Sequence, residues 1–140
     1  MKKEKGKKKD FWHPQMFTVD LDLFDCDIGV CVNSSEEDIK NWLKKISGEK
    51  YKDFPEDELK DWDTSKTDTG RMIQFLGGAV IILKLEKNKF RKACSIVCHE
   101  VCHLVFHLCN NRRTPLMADT DEVYAYMIEA MMLKILNNLY

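Results

Sequence analysis

The stretch from Ala93 to Asn110, ACSIVCHEVCHLVFHLCN, decides how the rest of the chain is read. Glu100 is the one formally charged residue between Ala93 and Asn111, and this length and apolar character predict a buried helix from near Phe90 to near Asn110. Within it, His99, Glu100 and His103 form H-E-x-x-H. Helix positions four apart share a face, with Cβ atoms about 6 Å apart, so His99 and His103 can grip one zinc ion together. Glu100 can then act as base to a water that the ion activates. Burying a lone carboxylate in an apolar helix is costly, and a metal–water site gives Glu100 a reason to be there.

Catalytic zinc usually takes three protein ligands and leaves one position for water. His99 and His103 supply two, and the downstream candidates for the third are His107, Asp119, Asp121, Glu122 and Glu129. The segment from Asn110 to Ala118 is long enough for a last helix to turn back antiparallel, which favours Glu122 by ligand count and reach. Glu122 has a competing role: with Asp119 as N-cap it is the N3 residue of a capping box, and Asp119 or Asp121 would then become the ligand. Glu129, two turns beyond Glu122, is either a support to the ligands or a solvated face residue. His107 continues the four-residue stripe and could orient a substrate, although such a histidine is more often a satisfied edge residue. Tyr124 and Tyr126 could stabilise an oxyanion, but their first reading is as packing residues with bonded hydroxyls. A mixed site with Cys98 and Cys102 is disfavoured, because adjacent helix positions diverge by about 100°.

Working outward, Phe17 to Phe24 alternates apolar and polar residues as a half-buried strand does. Ile28 to Val32 reads as a second strand, with Asp25 to Asp27 as the turn between them. Ser34 or Ser35, followed by Glu37 or Asp38, opens a helix carrying Ile39, Trp42, Leu43 and Ile46 up to Gly48. Residues 49–70 are polar and acidic, and predict a long loop with at most a helical turn around Leu59 and Trp62. Met72 to Leu76 and Ala79 to Leu85 are two strands broken at Gly77-Gly78. The second is too continuously apolar to be half-exposed and belongs well inside a sheet. Arg112, Arg113 and Pro115 end the motif helix, and Asp119 or Thr120 caps a final helix running to Leu139. The expected order is β-β-α-β-β-α-α: an α+β fold with a small antiparallel or mixed sheet packed on the motif helix and a C-terminal helix.

At 140 residues and 44% hydrophobic, the chain can build one domain with a real core. Residues 1–10 form a basic tail of net +4 and residues 11–140 the domain; residues 18–70 carry net −8 and 71–140 net +3. The overall −1 argues neither for nor against nucleic acid. The tail reads as a disordered solubilising lead, so nucleic acid is set aside as a partner. No apolar signal core follows the tail, and no charge-free apolar run reaches 18 residues, so the expectation is a cytoplasmic protein with no membrane association. The six cysteines, three of them stacked at Cys94, Cys98 and Cys102, read as reduced thiols rather than a disulfide framework.

The motif and its surroundings resemble the zincins, the metallopeptidase superfamily that shares H-E-x-x-H. The layout is similar to minimal members with a Glu third ligand, in which the motif helix is followed by a helix with E-x-x-A, here Glu122 to Ala125. More loosely, Pro14 before the first strand and the D-E-x-x-A-Y run from Asp121 to Tyr126 resemble small zincin-like proteins of phages and mobile elements. The zincin part covers roughly residues 72–138. The resemblance implies zinc held by His99, His103 and Glu122, Glu100 as general base to the attacking water, and a peptide or protein substrate held in extended form by the strand Ala79–Leu85. Against a peptidase stands a second expectation: a metal-binding structural or interaction protein of a phage or mobile element. The largely apolar final helix invites a homodimer or another partner.

Overall fold

The computed structural model describes residues 13–21, 24–75, 78–86, 88–111 and 117–139. The expected basic tail, the Gly77 break and the Arg112–Pro115 helix stop lie outside these residues. Four strands form one mixed sheet: β1 (Gln15–Leu21), β2 (Phe24–Val32), β3 (Thr69–Phe75) and β4 (Gly78–Lys84), in the order β1-β2-β4-β3. Three helices accompany them, α1 (Glu36–Ser47), α2 (Phe90–Asn111) and α3 (Asp121–Leu139), and the element order is the expected one.

The sheet is two antiparallel hairpins joined along a parallel seam. β1 pairs with β2 and β3 with β4, while β2 and β4 run parallel from Asp27↔Gly78 to Val32↔Leu83. Asn33, in the left-handed region with φ 52, carries the seam past the strand ends: its backbone N–H donates to Leu83 O, its Nδ2 donates to Leu85 O, and its Oδ1 accepts from Leu85 N.

Alternate side chains point to opposite faces, and both faces are covered. Val30, Val32, Ala79, Ile81 and Leu83 meet Val97, Val101, Leu104 and Val105 of α2 and Met127, Met131 and Ile135 of α3. On the other face, Cys31, Ile73, Val80 and Ile82 meet Ile39 and Leu43 of α1 with Phe54, Leu59 and Trp62. This explains the unbroken apolar run of β4: as a central strand buried on both sides, it has no polar positions to alternate with. α2 has the length and apolar composition of a membrane-crossing helix, and its buried side chains fill the first of these cores.

Four expectations are corrected. Asp25 to Asp27 are not a turn: β2 begins at Phe24, and Asp27 pairs with Asp20. Asp27 is paired on both sides, with Asp20 of β1 and Gly78 of β4, and that pairing outweighs the low strand propensity of aspartate. The 49–70 segment contains the expected turn next to Leu59, but is more ordered than a long loop. It forms 3-10 turns at Gly48–Asp53 and Glu56–Leu59, and its strand part starts at Thr69. Trp62 is fully buried and its indole N–H donates to Ser34 O, while Lys84 Nζ caps the Trp62 carbonyl. β4 is not at a cleft edge, since β2 and β3 flank it; the edge strand beside the motif helix is β3. Finally, α3 starts at Asp121, which puts Thr120, one of the two expected caps, directly before the helix and leaves Asp119 outside it, so Glu122 is the second helical residue rather than N3. The capping of α1 follows expectation: Ser35 Oγ accepts from Asp38 N, and Gly48, at φ 55, ends the helix.

Candidate metal centre

α2 buries the side that carries Val97, Val101, Leu104 and Leu108, and its opposite side presents His99, His103 and His107, all exposed. His99 and His103 turn towards each other, with Nε2 atoms 3.1 Å apart and ring centroids 4.7 Å apart. Two imidazoles at this separation either share a proton or share a cation. Tetrahedral zinc with Zn–N of about 2.0–2.1 Å needs its nitrogen ligands about 3.3 Å apart, a separation close to that of the pair.

Glu100 sits differently. It is only 6% exposed, on the flank of α2 that faces β3. Gly70 makes room for it: a Cβ at that position would lie 2.8 Å from Glu100 Cγ, 3.1 Å from Leu83 Cδ2 and 3.2 Å from Ile96 Cγ2. A side chain on β3 would therefore push the carboxylate away, and glycine lets strand and helix close on it. Burial raises the Glu100 carboxyl above its ordinary value, and the charges of His99 and His103 oppose that rise. Among the described residues its carboxylate makes no hydrogen bond or ion pair with a side chain.

Two clefts meet at Gly70, His99 and Glu100 and together follow β3. One, of about 530 Å³, is lined also by Arg71, Met72, Ile73, His103, His107, Asp57 and Glu58. The other, of about 270 Å³, extends past Thr69 to Asp68, Ser95 and Ile96. Arg71 donates to the Glu58 and Lys60 carbonyls and lies over the Trp62 ring, which holds the Glu56–Leu59 turn against the cleft.

Of the residues expected at the site, the structure brings together His99, Glu100, His103 and His107. Glu122, Asp119, Asp121 and Glu129 are exposed and do not line these clefts. The packing of α3 shows why for Glu122. Tyr124 stacks edge-on against Phe106 and Cys109 Sγ contacts Met127 Sδ, so the start of α3 lies beside the C-terminal end of α2, beyond the histidine pair. Tyr124 is buried in that contact with its hydroxyl bonded to Cys109, and Tyr126 is 61% exposed on the outer surface. Among the described residues no three His, Cys, Asp or Glu side chains converge as a ligand set. Asp57 and Glu58, upstream of the motif, line the cleft with the pair, whereas the sequence-based candidates for a third ligand all lie downstream. Sequence reasoning also passed over Gly70. Nothing local in the sequence links Gly70 to Glu100, since only the packing of β3 on α2 brings them together.

The five described cysteines are free. Burial pushes the Cys31 thiol up to about 12, so it behaves as a packing group rather than a ligand. No protein-family model, curated protein or solved structure matches the chain, so the site stands on its own geometry.

Proposed function

We propose that the protein is a cytoplasmic zinc-dependent peptidase of zincin type. The observation that carries this reading is the His99–His103 Nε2 pair at 3.1 Å with Glu100 beside it in a cleft along an edge strand. His99 and His103 would hold the ion. The third position would be taken by Glu122, as the zincin resemblance implies, or by Asp57 or Glu58, which already line the cleft. When bound, zinc supplies Lewis-acid polarisation and makes water a nucleophile near neutral pH.

The chain's own groups account for the remaining chemistry. The outer edge of β3 pairs with the backbone of an extended peptide and lays it across Glu100. Glu100 takes the proton of the attacking water and passes it to the leaving amine, a role suited to a carboxyl whose burial raises its basicity. His107, on the same stripe, donates a hydrogen bond to the substrate. The free thiols fit a reducing compartment.

Metal content by mass spectrometry and cleavage of a broad peptide library, for the native protein and for Glu100→Gln, test the reading. The expected result is one zinc per chain in both proteins, with cleavage reduced by at least about 100-fold in the variant. A native protein that holds no zinc after metal-replete purification sinks the proposal.

A metal-binding structural or interaction module of a phage or mobile element is the second reading. It is favoured by the lack of a converged third ligand among the described residues and by Val123, Tyr126 and Leu133 exposed on α3, which suit a homodimer or another partner. Zinc binding without cleavage of any library member would select it.

A further inference from the structure

α3 joins the core through Tyr124, Met127, Met131, Ile135 and Leu139. A helix needs one apolar stripe to dock on its own domain, and α3 has two. The second, on the outer side, is Val123, Tyr126, Ala130, Leu133 and Asn137. Val123 is 39% exposed, Tyr126 61% and Leu133 60%; Asn137 is exposed and Ala130 half-buried. These residues recur at alternating spacings of three and four, the a and d positions of a heptad repeat, which is the pattern of a seam between two helices.

The polar residues fit the same frame. Asn137 takes an a position, where a single asparagine fixes the register of paired helices. Glu129 stands at g, and Lys134 at the e position five residues on. In a parallel pair of helices these positions meet across the seam, so Glu129 of one copy faces Lys134 of the other, twice by symmetry. Within one chain Glu129 has no ion pair among the described residues. Lys134 Nζ donates to Asp20 O, which leaves two of its three N–H donors for another acceptor. An antiparallel pair centred on the same stripe sets g against g and brings the two Glu129 carboxylates together, a like-charge contact that disfavours it.

We infer that the outer face of α3 is a self-association surface on which a second copy of this chain lays its own α3 in parallel, with Glu129 and Lys134 paired across the seam. The helix is already held in shape by its packing on the domain, so association does not have to supply the cost of forming it. The stripe is about 21 Å long at the helical rise, and a contact of that length falls short of the roughly 800 Å² per partner of a standard interface. The expected dissociation constant is therefore micromolar. The inference goes beyond the metal chemistry and depends on neither reading of it, because these residues line neither cleft.

Sedimentation equilibrium of the full chain from about 1 to 200 µM tests this. The native protein is expected to pass from monomer to dimer within that range. Leu133→Glu puts a carboxylate from each copy into the seam and is expected to weaken the dimer at least about tenfold. Glu129→Lys sets lysine against Lys134 of the other copy and is expected to weaken it about threefold or more at low salt, and Glu129→Lys/Lys134→Glu restores the native affinity. All three positions lie on the outer side of α3, so the monomer fold is kept, and circular dichroism checks it for each variant. A native chain that stays monomeric at about 200 µM overturns the inference and leaves the stripe to a partner other than this chain. So does a dimer that Leu133→Glu leaves intact, which lies on another face, and so does a double exchange that fails to restore affinity, which removes the parallel seam. Zinc and cleavage do not enter these measurements, so failure of the peptidase reading is told apart from failure here.

Discussion

At the scale of single residues, β3 approaches α2 closely where Gly70 faces Glu100. The strand lacks a side chain at the one place where the helix places a carboxylate, so a methyl group on Gly70 has to displace Glu100 or press on Leu83 and Ile96. Glu100 is the more flexible of these neighbours and should yield. Gly70→Ala is therefore expected to lower peptide cleavage at least about tenfold while zinc content stays at the native level, with a stability loss on the order of 1–3 kcal/mol from overpacking. Steady-state kinetics, metal analysis and urea denaturation read the three effects. A variant with native cleavage would mean that the position of Glu100 does not matter to the chemistry. Gly70 carries no side chain to react, and its effect on the chemistry runs through the position of Glu100.

At the scale of elements, the segment between α1 and β3 is a structural cover as well as a wall of the cleft. Phe54, Leu59 and Trp62 close the second core, and Arg71 and Lys84 bind the backbone carbonyls of the same turns. Trp62→Ala should cost about 3–5 kcal/mol in urea denaturation and loosen the turn that carries Asp57 and Glu58. A cost below about 1 kcal/mol would show that the cover contributes little. This segment also marks where sequence reading stops. α2 could be read because its information is local: an apolar run, a histidine stripe and the four-residue spacing all lie within one helix. β4 could be read because a strand with no polar alternation must be buried on both faces. The cover could be read only in part: the turn around Leu59 and Trp62 is visible in the sequence, but the burial of its three anchors is not, because they are widely spaced among acids and show no period. The acids of residues 25–27 misled in the same way, suggesting a turn where partner strands impose pairing. The histidine pair and Glu100 were legible for the reason that α2 was. Asp57, Asp68 and Gly70 were not, because they reach the site from another part of the chain, and only the β3–α2 packing brings them there.

At the scale of the whole molecule, α2 sits against β3, β4 and α3, so an ion held on its outer face is coupled to the entire fold. Zinc at 100 times its dissociation constant should stabilise the native state by about 2.7 kcal/mol by mass action, visible as a raised Tm. His99→Ala/His103→Ala should abolish the shift. Asp57→Asn, Glu58→Gln and Glu122→Gln compared in the same assay should identify the third ligand as the residue whose loss reduces the shift most. A native protein whose Tm ignores zinc would remove the metal from the account. The seam between the hairpins has a different consequence, for the order of assembly. Each hairpin joins strands adjacent in sequence and closes a short loop, whereas β2 meets β4 only after α1, the cover and β3 have been drawn in between. On loop closure alone the two hairpins are expected to form first, and their zipping along Ile28–Val32 and Ala79–Leu83 to come later and unite the halves of the chain.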